Sequence, residues 1–398
     1  MGSRCHGFLQ CAIKRKHNHR CIHNDFRMRD RQSIRILTAA ALPLLAGALL
    51  AAPSCTRIEV QAAAGDIPMT FGSYVARPVS KAAAAGVVTN ATLPANSSFG
   101  VFAFYQPGVV GASTGHWADG GWTPDFMFNQ EVAFDGSDYS YSPLRYWPAN
   151  EENTLSFWAY WPYDLYSADN SGALKFYAAG GTAAYGASSE GLPTVKYTVP
   201  QDPAQQYDIL FDSFAQTDRI ATGGATPGTV PFSFRHALAL VEFQIKEGTG
   251  ALVTSFELSD LAWSGTCADP STRVWTEQGA VADYVLNNVS ADGNVICRLL
   301  MMPQALTAAK ELTLSYDIQF ASSDPNHPEP IVYQGNSGSV RLNDARLANG
   351  TGANLTAWEA GRHYVYVINA GFDRIEFEGV VELGEDWTSA GDDNQVHE

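Results

Sequence analysis

Past position 55 the chain has only two cysteines, Cys267 and Cys297, only five histidines, and few basic residues. Each scarcity excludes something. No two of those histidines stand at metal-ligand spacing, so the sequence offers no metal site. Two cysteines do not make a disulfide scaffold; they either pair in an oxidising compartment or stay as buried thiols. The first 54 residues carry nine of the 25 Lys and Arg and two of the 41 Asp and Glu, which leaves the rest near −23. Such a surface repels nucleic acid and anionic lipid head groups. No long helical periodicity follows residue 55. One long uncharged apolar run exists, residues 36–52, and Pro43 and Gly47 interrupt it. It is short for a span, which needs about 20 apolar residues.

That run is better read as a secretory signal. Arg29, Arg31 and Arg35 precede it, and it closes on Ala52-Pro53-Ser54-Cys55. A basic segment, an apolar segment and small residues before a cleavage point make an export signal. A cysteine at that point resembles a bacterial lipobox, in which the thiol of Cys55 is acylated and becomes the new N-terminus. Met28 is then a natural start. Cys5, Cys11 and Cys21, with the histidines around them, fit no zinc spacing. Residues 1–54 are therefore expected to be upstream extension and signal, and residues 55–66 a tether.

Beyond the tether the chain reads strand upon strand. Leu155, Phe157, Ala159 and Trp161 alternate with Ser156, Trp158 and Tyr160. Val241, Phe243 and Ile245 alternate with Glu242, Gln244 and Lys246, and Leu312 to Phe320 repeats the pattern. Period-2 alternation places one face in a core and the other in water. Gly, Pro, Asn and Asp punctuate it throughout, so the fold class is all-β, of antiparallel sandwich type. A Gly/Thr/Pro-rich loop at residues 221–231 divides the chain into expected domains at 67–225 and 226–398.

Catalytic patterns are sparse. Gly111-Ala112-Ser113-Thr114-Gly115 fits G-x-S-x-G, but loop composition follows where a nucleophile elbow needs a helix. His236 and His363 lie in strand-like stretches and read as satisfied structural histidines. Carboxylates are scattered, and no pair stands out for acid–base work. No enzyme and no cofactor is expected. Trp117 and Trp122, in a Gly-rich loop, leave open a second reading, a glycan-binding surface lipoprotein.

Several segments together resemble the fimbrillin family, in particular its Mfa-like branch of pilus lipoproteins. They run in order: Pro68-Met69-Thr70-Phe71 with Arg77, then Phe99 to Tyr105, then Arg145-Tyr146-Trp147-Pro148 with Leu155 to Pro162. Gln206-Tyr207-Asp208, Phe234-Arg235-His236, Met302-Pro303-Gln304, Gly361-Arg362-His363-Tyr364 and Trp387 complete the series. The resemblance implies two tandem transthyretin-like β-sandwich domains and a structural, adhesive subunit of a type V fimbria. It implies other fimbrial subunits as partners, and a place at the cell surface, tethered to the outer membrane by lipid. It further implies that a protease cuts after a basic residue, here Arg77 or Lys81, and releases the first strand. A donor strand from another subunit then fills the groove. Ile375, Phe377, Val381 and Leu383 are the donor-strand candidates. Pro78 follows Arg77, a bond that trypsin-like proteases cleave poorly, so an anchor or accessory subunit is expected rather than bulk stalk.

Overall fold

The computed structural model describes residues 67–75, 92–107, 121–148, 153–212, 219–220, 229–277, 279–289, 294–348, 352–372 and 374–383. They form strands and short 3-10 turns, with no α-helix among them. No helix in the described residues is long and apolar enough to cross a membrane. The strands are β1 (Phe71–Val75), β2 (Ser97–Gln106), β3 (Met127–Phe134), β4 (Tyr139–Ser140), β5 (Thr154–Trp161), β6 (Leu174–Tyr177) and β7 (Thr194–Thr198). Next come β8 (Leu210–Asp212), β9 (Arg219–Ile220), β10 (Val230–His236), β11 (Ala239–Ile245), β12 (Ala251–Leu261), β13 (Ser264–Cys267), β14 (Trp275–Glu277) and β15 (Ala282–Asn287). The last are β16 (Val295–Met301), β17 (Gln304–Ala305), β18 (Glu311–Phe320), β19 (Ile331–Arg341), β20 (Ala357–Trp358), β21 (His363–Ala370) and β22 (Ile375–Leu383).

The largest sheet runs β1-β10-β8-β5-β2-β3-β4, with β9 also on β5. β5 is central to it, and all eight of its residues are buried. Leu155, Phe157, Ala159 and Trp161 enter one core with Phe99, Val101 and Phe232. Trp158 and Tyr160 enter a second with Phe102, Phe104 and Phe176. A strand covered on both faces carries apolar side chains at successive positions, which explains Phe157-Trp158-Ala159-Tyr160-Trp161.

At Gly100 on β2, a Cβ would stand 2.2 Å from Tyr160 Cε1 and 2.8 Å from Asn129 Oδ1. Tyr160 is fixed there by donating its hydroxyl to Asn129 Oδ1 at 2.7 Å. Gly100→Ala should therefore cost about 1–3 kcal/mol through overpacking, read as a lowered midpoint in urea unfolding. An unchanged midpoint would mean that this contact is relaxed in solution.

The second half contributes two four-stranded sheets, β16-β11-β21-β22 and β15-β12-β18-β19. Between them Phe243 meets Phe256 and Tyr366, with ring centroids 5.1 and 4.9 Å apart. β18 alternates buried and half-buried as its sequence pattern demands.

Pairing also crosses the expected 225/226 division. β13 pairs antiparallel with β7, and β6 and β14 complete that sheet. β10 pairs with β1 and β8. Phe234, on the C-terminal side of that division, accordingly packs in the core of Phe99, 5.5 Å from its ring. Leu240, Val241 and Phe243 lie in the other core. Residues 221–228 lie outside the described residues, so the division itself is not placed.

Candidate functional site

Of the segments singled out by sequence, the first strand has the most distinctive setting. β1 is an edge strand paired in parallel with β10, from Phe71 opposite Val230 to Val75 opposite Phe234. Before it, Met69 N–H donates to Arg145 O at 2.9 Å, and Trp147 N–H donates to Ile67 O at 3.1 Å. Tyr141 donates its hydroxyl to Met69 O at 2.9 Å. Met69, Phe71 and Val75 are buried in alternation, whereas Ile67 is exposed. The segment that begins at the Pro68–Phe71 motif is thus regular strand only from Phe71, because residues 67–69 pair with the irregular segment 145–147 instead of β10.

The groove under this strand is aromatic. Phe71 stacks on Phe232 at 5.8 Å and meets Tyr141 edge-on at 5.1 Å and Phe157 at 6.4 Å. Burying each of its three apolar side chains contributes about 1.5–3 kcal/mol. Lifting the strand away would expose those seats and leave the β10 edge without a partner. Such an edge binds an extended segment through its backbone and selects it through alternate side-chain pockets.

The donor-strand candidates lie on β22, the outer strand of its sheet, antiparallel to β21. Ile375 is buried, and Phe377 packs on the core together with Tyr366 at 5.0 Å. Val381 and Leu383 are half-buried. In this chain β22 therefore closes its own sandwich. Cys55, Arg77, Lys81, the 111–115 pattern, Trp117 and Trp387 lie outside the described residues. Trp122 is partly buried against the core, and its carbonyl accepts from Gly191 N–H at 2.9 Å. Cys267 and Cys297 are not bonded to each other. Cys267 donates to Asp269 O, and burial pushes its thiol up to about 12.

Sequence reasoning missed the partners of a set of buried polar side chains. His236 Nδ1 lies 2.7 Å from Asp208 Oδ2, and both side chains are fully buried. Gln206 accepts from Leu300 N–H at 2.7 Å and donates to Pro200 O at 2.8 Å. Gln304 accepts from Ala262 N–H at 3.0 Å and donates back to Ala262 O. These motif side chains satisfy buried backbone and one another, which a buried polar group requires. His363 is likewise structural in setting, its Nε2 3.4 Å from Glu242 Oε2. Glu242 also receives Arg298 Nε at 2.7 Å.

The fimbrillin-like family matches residues 87–382, most of the chain. The chain belongs to that family. This fimbrillin-like chain is 28% identical over 203 residues to fimbrium subunit Fim1C of Phocaeicola vulgatus. The alignment covers 50% of this chain and 49% of Fim1C, so the chain spans about half the length of that relative. A fimbrial protein from Bacteroides vulgatus shares the fold at TM-score 0.53 and 20% identity, over 80% of this chain and 99% of that one.

Proposed function

We infer that this fimbrillin-like chain is a non-enzymatic, adhesive fimbrial subunit, tethered to the outer membrane through acylated Cys55, with its first strand as the assembly element. The observation that carries the reading is the seating of residues 67–75. Met69 just before the parallel edge strand, and Phe71 and Val75 on it, fill three apolar seats, and the seat of Phe71 is aromatic. In strand exchange, that plug leaves after a cut at Arg77 or Lys81, and a partner subunit's strand takes its place. The bond to Pro78 resists such a cut. The chain then acts as an anchor or accessory subunit that keeps its own first strand.

N-terminal sequencing of protein sheared with fimbriae from cells tests this. Anchor status gives a blocked, acylated N-terminus at Cys55, with residues 67–75 retained. Cys55→Ala should move the protein out of the membrane fraction, because acyl chains hold it there at about 0.8 kcal/mol per buried CH₂. A mature chain beginning at Pro78 or Ala82 within high-molecular-weight polymer would overturn the anchor role and leave strand exchange standing. Absence both from sheared fimbriae and from the fimbrial bases that remain with the membrane fraction would remove the subunit reading altogether.

A further inference from the structure

β19 is the outer strand of the sheet β15-β12-β18-β19, so among the described residues it has a strand on one side only. Such an edge presents a row of N–H and C=O groups that any extended backbone can pair with, and proteins usually blunt it with charge, proline or bulges. Here the strand is 11 residues long and holds no proline, and Arg341 is its only charged residue. One bulge interrupts it, where Gly335 N–H donates to Asp317 Oδ1 at 3.0 Å. Beyond the bulge the ladder with β18 is regular to Arg341. The exposed side chains there are the small Ser337 and Ser339 and the terminal Arg341.

Charge along this edge has a direction. Exposed Arg341 ends the strand, and exposed Asp324 and Glu329 lead into it. Two such edges laid antiparallel put each Arg341 toward the other's acidic approach, while a parallel arrangement sets like against like. The chain as a whole carries −16, so other faces of two copies repel. This edge offers attraction at both ends and neutrality between. Self-complementarity of this kind is what a twofold interface requires. Apolar surface adjoins it, where Phe320, Tyr333 and Phe372 are 41, 50 and 51% exposed.

We propose that β19 pairs antiparallel with β19 of a second copy of this chain, joining two four-stranded sheets across a twofold axis. The contact is independent of whether β1 is retained or released. Sedimentation velocity on the full chain, over a roughly hundredfold concentration range, should show a monomer–dimer equilibrium. Ser337→Lys sets like charges across the axis at an exposed position and should weaken the dimer at least about tenfold. Thermal unfolding at a concentration where both proteins are monomeric should stay unchanged, and Ser337→Ala should leave the dimer intact. Arg341→Glu should weaken it as well, and adding Asp324→Lys with Glu329→Lys should restore it. A chain that stays monomeric, or a dimer indifferent to Ser337→Lys, overturns the proposal. A dimer indifferent to Arg341→Glu overturns its antiparallel sense.

Discussion

Phe243→Ala will cost the fold about 3–5 kcal/mol, the usual range for emptying a buried phenylalanine site. Phe243 is fully buried between the two sheets of the second half and touches Phe256 of the facing sheet and Tyr366 of the adjacent strand in its own. The facing strands are locked by long ladders, so the cavity cannot close by a small shift of one side chain. Against a typical domain stability of about 5–15 kcal/mol, that loss is large. Gln244→Ala is the internal control. Its amide donates to Glu242 and accepts from Asn294 at 3.2 Å, so its loss should cost only about 1 kcal/mol. Urea unfolding of both variants checks the pair. Equal midpoints would mean that the face assignment of β11 is inverted.

Acid should weaken the same region through Glu242. Burial alone would raise its pKa, but the surrounding donors of His363, Arg298 and Gln244 outweigh burial and hold it down to about 2 from 4.5. Arg298 is the closer of the two ring or guanidinium partners, since its Nε stands 2.7 Å away and His363 Nε2 stands 3.4 Å away. A carboxylate whose folded pKa lies below its unfolded value adds stability that is complete above the unfolded pKa. That stability drains away as pH falls from about 4.5 toward 2, and the shift corresponds to ~3 kcal/mol. Glu242→Gln should therefore lower stability by about that much at pH 7 and flatten the decline between pH ~4.5 and ~2. Removing one partner of a buried pair leaves the other uncompensated, which sets the sign. A variant that keeps the wild-type slope over that window would assign the acid sensitivity to other carboxylates.

Local alternation was enough to place the strands. β5, β11 and β18 stand where Leu155 to Trp161, Val241 to Ile245 and Leu312 to Phe320 alternate. That legibility has a simple cause, since a strand's two faces are written into successive residues.

Pairing partners were decided by the tertiary structure, because hydrogen-bond ladders join residues that no local pattern links. Nothing around Phe234 says that β10 turns back to β8 and β1 rather than forward to β11. Its alternation would serve either sheet equally well. β7 and β13, which pair, lie on opposite sides of the loop that composition marked as a boundary, because loop composition does not say which edges meet beyond it. The polar contacts obey the same logic. His236 was readable as a satisfied histidine, but its partner Asp208 lies 28 residues away. Glu242, Arg298 and His363 come from three strands that only the sheet brings side by side. The sequence by itself thus determined strand positions and family resemblance, since each of these is local or is carried by short motifs, whereas the expected water-facing sides of β5 and β11 are buried because other strands cover them. Which edges are covered, which pairs of charges are buried together, and which strand plugs the aromatic groove depend on long-range packing, and only the folded chain decides them.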